Sequence, residues 1–446
     1  MTDQRMRTGP ALVLGLVATL LICAGTSTVR AQDLLIRGGT VLTVTGGDLP
    51  DTDLLIRAGI IEAIGSGLEA PPGVEVIDAR GLFVCPGILD DHSHMGIDRG
   101  INEGSRSVTP EVSITDVIRH DDPSFVTALA GGVTTIQTLH GSANSIGGEC
   151  ETLKLKWGRP WEELVIADAP RTLKFALGEN VRQSRSDNPT RYPRSRSGVA
   201  EVMRESFTRA RNYMAAWERY EAERTAYERT PRRQRSALAP LPPRRDLQLE
   251  ILAGVLKGEV IIRCHAYRAD EMCMMMEVCN EFGIPGGVFE HALDGYKIAP
   301  ELARNGWAVS VFADSWAYKI EAYDANPYKM VIYYEEGVRT AINSDSAERV
   351  RRLYQEAARA CRFGGVPENE ALKMITINPA ANLGIDHRVG SLEVGKDGDV
   401  SIFTAHPIQT EARCEMTIIE GVVYFDRSQI DTLATWPPDG GGEGSR

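Results

Sequence analysis

Gly81-Leu-Phe-Val-Cys-Pro-Gly-Ile-Leu-Asp90 runs straight into Asp91-His92-Ser93-His94, and how this stretch is read decides the fold. A short apolar run bounded by glycine reads as a buried strand. Residues two apart on an extended chain face the same way, so His92 and His94 project together from the strand's end. Two neutral imidazoles so placed can hold one divalent cation. A solvated pair on a loop is the alternative, and the rest of the chain decides between them.

Working outward, eight runs read as strands: Phe83–Leu89, Val133–Leu139, Glu149–Lys156, Thr172–Leu177, Val260–Ala266, Gly287–Ala292, Ala308–Ala313 and Thr340–Ser344. They are nearly continuous apolar runs with helical stretches between several of them, as expected of a parallel sheet buried on both faces. The fold class is therefore α/β, a (β/α)8 TIM-type barrel over residues 81–387, with its chemistry at the strand C-terminal ends. Short glycine-broken β segments over 32–80 return at 388–428, which predicts a small β-sandwich built from both chain ends. Residues 198–257 form a charged helical insertion, read as a solvated hairpin, a lid or a dimerisation arm, the last allowing a homo-oligomer. The glycine-rich 429–446 is expected to be a flexible tail.

The first 31 residues are different in kind: Arg5 and Arg7 precede the apolar Ala11–Cys23, followed by Val29-Arg30-Ala31. This is the pattern of a signal peptide, which predicts a secreted or periplasmic protein with no stable membrane span after cleavage. Seven cysteines follow it, an odd number scattered in apolar segments, so buried thiols are expected rather than a disulfide framework. A net charge of −12 over 446 residues argues against nucleic acid as a partner and leaves a small-molecule substrate.

The chemistry lies at the strand ends. The first carries His92 and His94, the fourth Lys174, the fifth His265, the sixth His291 and the eighth Asp345. Four of the eight histidines thus fall at the predicted ends of the first, fifth and sixth strands, which chance does not readily supply. His140 ends the second strand and faces either substrate or structure. Tyr267 and Arg268 follow His265, and Arg268 is placed either to grip a substrate carboxylate or to pair with Asp270 or Glu271. Asp314, Trp316 and Tyr318 follow the seventh strand as pocket residues. Gly141–Gly148 reads as an active-site loop, and His120, His387 and His406 as surface residues.

Taken together, Pro86-Gly87-Ile88-Leu89-Asp90-Asp91-His92-Ser93-His94, Gly131-Gly132-Val133-Thr134-Thr135, Glu290-His291, Asn343-Ser344-Asp345, Asn378-Pro379-Ala380-Ala381-Asn382-Leu383-Gly384 and Gly390–Val400 resemble the amidohydrolase superfamily of metal-dependent hydrolases, particularly imidazolonepropionase-related and prolidase-like members, over about residues 33–428. The resemblance implies two divalent ions, zinc by default. His92, His94 and Asp345 would hold one and His265 and His291 the other, bridged by a carboxylated Lys174 with Glu179 as the alternative bridge. It further implies metal-activated hydroxide attacking an amide-like C–N bond, in dipeptides or N-acyl amino acids, with Asp345 as catalytic base and then acid. A mononuclear deaminase or cyclic amidase, and a non-catalytic binding protein on the same fold, are the competing expectations.

Overall fold

Gly87 is where the chain changes sheets. In the computed structural model, which describes residues 33–97, 100–182, 190–235 and 238–429, the run expected as one strand is two. The predicted signal peptide, and all of the predicted tail beyond its first residue, lie outside the described residues.

The strands before Gly87 are β1 (Leu34–Leu42), β2 (Asp48–Arg57), β3 (Ile60–Gly65), β4 (Glu75–Asp78) and β5 (Phe83–Pro86). Those after it are β6 (Ile88–Ser93), β7 (Val133–Thr138), β8 (Ile146–Lys154), β9 (Arg171–Ala176), β10 (Val260–Ala266), β11 (Gly287–His291), β12 (Ala308–Val311) and β13 (Thr340–Ile342). Three more close the chain: β14 (Val400–Phe403), β15 (Cys414–Ile419) and β16 (Val422–Asp426). A Cβ at Gly87 would overlap the Thr134 side chain, so only glycine lets β6 leave the small sheet this close to β7.

β5 pairs with β1 and β14 in a sheet ordered β16-β15-β14-β5-β1-β2-β3, with β4 on the side of β1. The strands from both chain ends therefore share one hydrogen-bonded sheet with its own core, including Leu34, Ile36, Val41, Leu54, Val84, Ile402 and Ile418. Lys154 of the barrel is buried against this sheet. Its ammonium lies 2.5 Å from Asp397, 3.1 Å from Asp399 and 2.9 Å from Glu420.

β6 to β13 form a nearly closed eight-stranded barrel in sequential order. Every residue of β6 and β7 is buried, as expected for strands covered on both faces. One strand departs from the expected parallel sheet: β8 runs antiparallel to both β7 and β9. The cause is the connection. Only the segment from Leu139 to Ser145 joins β7 to β8, and a parallel crossover needs about a dozen residues or more. The reversal brings the start of β8, not its end, to the catalytic face, with the 141–145 loop beside it. Ser344 Oγ donates to Asp90 Oδ2 at 2.5 Å, and the Asp345 N–H reaches the His92 carbonyl at 3.3 Å, which ties β13 to β6.

The insertion is a 34-residue helix, Arg196–Arg229, followed by a shorter one, Leu247–Leu256. The first helix buries Val199, Val202, Met203, Phe207 and Ala210 in its N-terminal half and exposes most of the remainder. No helix among the described residues is long and apolar enough to cross a membrane. Of the seven cysteines, Cys85, Cys150, Cys264, Cys279 and Cys414 are buried, while Cys273 and Cys361 are partly exposed.

Candidate active site

The His-x-His at the end of β6 is built as the alternation of a strand requires, with the two imidazole centroids 5.4 Å apart. His94 Nδ1 lies 2.7 Å from the Leu139 carbonyl, so that nitrogen carries the proton and donates it. His92 Nδ1 lies 2.9 Å from Glu290 Oε2, a close polar contact outside hydrogen-bond alignment. His94 therefore presents Nε2 as a lone pair, the arrangement in which a partner on the far nitrogen fixes a metal-ligating tautomer, and His92 turns its Nε2 toward the same space.

Those lone pairs converge. His94 Nε2 is 3.3 Å and His92 Nε2 3.8 Å from Asp345 Oδ1. His291 at the end of β11 stands 4.7 Å from His92 and 4.8 Å from His265, centroid to centroid. Ligand atoms of His92, His291 and Asp345 all fall within 4.8 Å of one another. Lys174, fully buried on β9, brings its Nζ to 3.4 Å from His92 Nε2. The structure thus gathers His92, His94, Lys174, His265, His291 and Asp345, and it sets His291 directly against His92 and Asp345.

This geometry is held by a left-handed backbone at non-glycine residues: φ is +70° at His291, +38° at Ala292 and +43° at Asp345. Such conformations carry strain and persist where surrounding contacts fix them. Here the Asp345 N–H bond to the His92 carbonyl is one such contact.

Burial sets the protonation states. Desolvation, reinforced by Lys174, holds the His92 and His265 imidazolium forms well below the ordinary histidine range. At His291 desolvation acts together with His265 and Lys174. Desolvation also lowers the Lys174 ammonium and raises the Asp345 carboxyl, the latter against the pull of His94. Both ring nitrogens of His265 and Nδ1 of His291 are buried without a hydrogen-bond partner. Unpartnered neutral imidazoles beside a carboxylate suit a borderline divalent cation such as zinc, and leaving them bare is costly.

A layer beneath the histidines has no counterpart in the sequence expectations. Glu290 pairs with Arg263 Nε at 2.7 Å, and Arg263 Nη2 lies 3.2 Å from Asp91 Oδ2. Asn382 donates to the same Asp91 oxygen at 2.8 Å. Burial pushes the Glu290 carboxyl upward and Arg263 pulls it back. The available signal was Arg263 itself, a charge inside the apolar run Val260-Ile261-Ile262-Arg263-Cys264 two residues before a histidine.

The remaining expected residues divide. Tyr267 packs on His265 and His291 at 4.6 and 5.4 Å, and its hydroxyl accepts from Tyr318 at 2.8 Å. His140 Nδ1 lies 3.0 Å from the Ile101 carbonyl, which ties the 100–105 segment to the end of β7. Arg268 is engaged by Asp270 through two contacts of 2.9 and 2.8 Å, the salt-bridge option rather than an open carboxylate grip. Glu179 lies 3.4 Å from Lys319 Nζ, not among the residues gathered at His92. Asp314 pairs with Arg349 and Arg359. His406, expected on the surface, is buried against Phe83 because the chain doubles back to lay it on β5.

Comparison with known proteins gives a consistent set of likenesses. A crystal structure of an amidohydrolase from Thermotoga maritima MSB8 superposes with a TM-score of 0.79 at 32% identity, covering 88% of this chain and 100% of that one. The amidohydrolase tasK of Hapsidospora irregularis is 30% identical over 84% of this chain and 40% of its own length. Adenine deaminase 1 of Desulfotalea psychrophila is 25% identical over 85% of this chain and 55% of its own. The chain therefore spans about half the length of these two curated relatives. A sequence profile described as the amidohydrolase family matches residues 83–424, from β5 to β16, and on that match the chain belongs to the amidohydrolase family.

Proposed function

We propose that this protein hydrolyses an amide-like carbon–nitrogen bond in a dipeptide or N-acyl amino acid, using two divalent ions, zinc by ligand type. The observation that carries this reading is the convergence of His265 and His291, with their unpartnered buried nitrogens, on His92, Lys174 and Asp345. His92, His94 and Asp345 would hold one ion, and His265 and His291 the other. When bound, such ions supply Lewis acidity toward a carbonyl oxygen and make water nucleophilic near neutral pH.

Asp345 moves the proton. Its carboxylate takes one from the attacking water and passes it to the leaving nitrogen, a role favoured by its burial-raised proton affinity. Lys174 has no salt-bridge partner among the described residues, and an ammonium sealed at that depth is costly. Its lowered proton affinity favours the free amine. The amine would add to carbon dioxide and release a proton to give a carbamate, an anionic ligand where the ammonium would repel a cation.

The tight grouping of His92, His291 and Asp345 favours a second reading, a one-ion deaminase or cyclic amidase. Metal analysis of the full chain separates the two. Two equivalents per chain, reduced in Lys174→Ala, support the bridged pair. One equivalent with Lys174→Ala unchanged overturns it. A panel of dipeptides, N-acyl amino acids, lactams and aminopurines then tests the bond cleaved.

A further inference from the structure

Beside Asp345 the barrel mouth opens into a cavity of about 510 Å³, lined by Phe312, Trp316 and Tyr318 and by Arg349. Trp316 and Tyr318 are each about half exposed, 52% and 53%, so the aromatic wall faces open space.

Arg349 is the cation of this cavity. Its Nη1 donates to Ser315 Oγ at 2.9 Å and lies 3.6 Å from Asp314 Oδ1, with the guanidinium carbon 5.8 Å from the Phe312 ring centre. Asp314 is shared: Arg359 makes the much closer contact with its other oxygen and also pairs with Glu356 at 3.0 Å. Lys329, buried behind them, feels both Asp314 and Glu356. Arg349 and Arg359 thus share Asp314, and the guanidinium on the cavity side makes the longer contact with it, its charge being felt also by Asp345 and Glu348. Asp345, in the lining of the same cavity, is engaged by His94.

We propose that Arg349 binds the carboxylate of the substrate, and that the Phe312–Trp316–Tyr318 wall takes the apolar side chain beside that carboxylate. A guanidinium offers a planar pair of donors that matches a carboxylate's two oxygens. In an N-acyl amino acid the carboxylate sits one carbon from the scissile nitrogen. Asp345, the residue that protonates that nitrogen, lines the same cavity as Arg349. The substrate class is therefore an amino acid with an apolar side chain and an acylated nitrogen. Arg349 fills the role that sequence reasoning offered to Arg268, which Asp270 occupies. This rests on the hydrolase reading above for the bond cleaved, though not for the binding itself.

The test uses the metal-loaded full chain with two probes that differ only in charge, N-acetyl-L-phenylalanine and N-acetyl-L-phenylalaninamide. Binding is read by tryptophan fluorescence on rapid mixing, and hydrolysis separately by amine release. The expected result is that the wild type binds the acid at least about tenfold more tightly than the amide, roughly 1.4 kcal/mol. Arg349→Met should erase that preference while the amide binds as before, and Arg349→Lys should restore part of it. Equal wild-type affinities, or equal weakening of both probes in Arg349→Met, would overturn the assignment. Selective binding of the acid without cleavage would uphold Arg349 and sink the hydrolase reading. Cleavage of both probes with equal KM would do the reverse.

Discussion

His92 and Glu290 meet at 2.9 Å, Nδ1 to Oε2, with neither side chain reaching solvent. Glu290 is held in turn by Arg263, so an imidazole at the catalytic surface is oriented by a buried ion pair. Glu290→Gln should leave the Arg263 charge short of a partner and destabilise the protein by about 3 kcal/mol, the scale for breaking a buried pair. It should also weaken metal binding by roughly 10- to 100-fold through loss of the carboxylate facing His92 Nδ1. Urea unfolding of the metal-free chain and a zinc titration read the two effects separately. An unchanged zinc affinity would show that His92 needs no partner.

Asp345→Asn keeps the shape of the side chain and removes its basicity. Turnover should fall by about 10²- to 10⁴-fold, the range for loss of a positioned proton-transfer group. The melting temperature of the metal-free chain should move little, because the side chain is partly solvent-facing at 27% exposure. A variant retaining near-full turnover would place the proton transfer elsewhere.

His92, His265 and His291 should remain neutral in the metal-free protein through pH 6, where an ordinary histidine with a pKa near 6.5 is largely charged. The shift is downward because burial penalises the imidazolium, and any charge left on Lys174 adds repulsion at each. Ring nitrogen NMR across pH 8 to 5.5 checks this directly. Three ring signals that titrate near pH 6.5 would mean that water reaches the cluster.

Gly87→Ala should cost about 3 kcal/mol or more, the upper end for overpacking a rigid core, because its Cβ would overlap Thr134. Gly104→Ala is the control, since a Cβ there meets nothing within 4 Å. Similar urea midpoints for the two variants would show that the chain can change sheets without a bare backbone.

The strand ends were legible because each histidine closes a continuous apolar run, and a periodicity of two places His92 and His94 together without any tertiary knowledge. The layer under them was not, because Glu290 and Arg263 on neighbouring strands meet Asp91 of β6 and Asn382 of the helix Ile377–Leu383 only in the folded barrel. The reversed direction of β8 was present in the sequence as a short loop between β7 and β8, masked by the regular alternation on either side. His406 was misread because a histidine away from every strand end gives no sign that it lies on β5. Arg268 shows the limit of proximity in sequence: it follows the site immediately and turns away from it to Asp270.

The pairing of Pro86 with Val400 bears on how the molecule comes into being. β5 lies between β1 and β14 in its sheet, so no growing chain that stops short of Phe403 can complete that sheet. During synthesis the N-terminal strands emerge first and must wait, with one edge bare, while the whole barrel is made between them and their partner. Contacts of such long sequence separation slow folding and leave an unpaired strand edge open to misassociation. The last quarter of the chain, which supplies only Asp345 to the catalytic cluster, is thus what makes the first quarter safe.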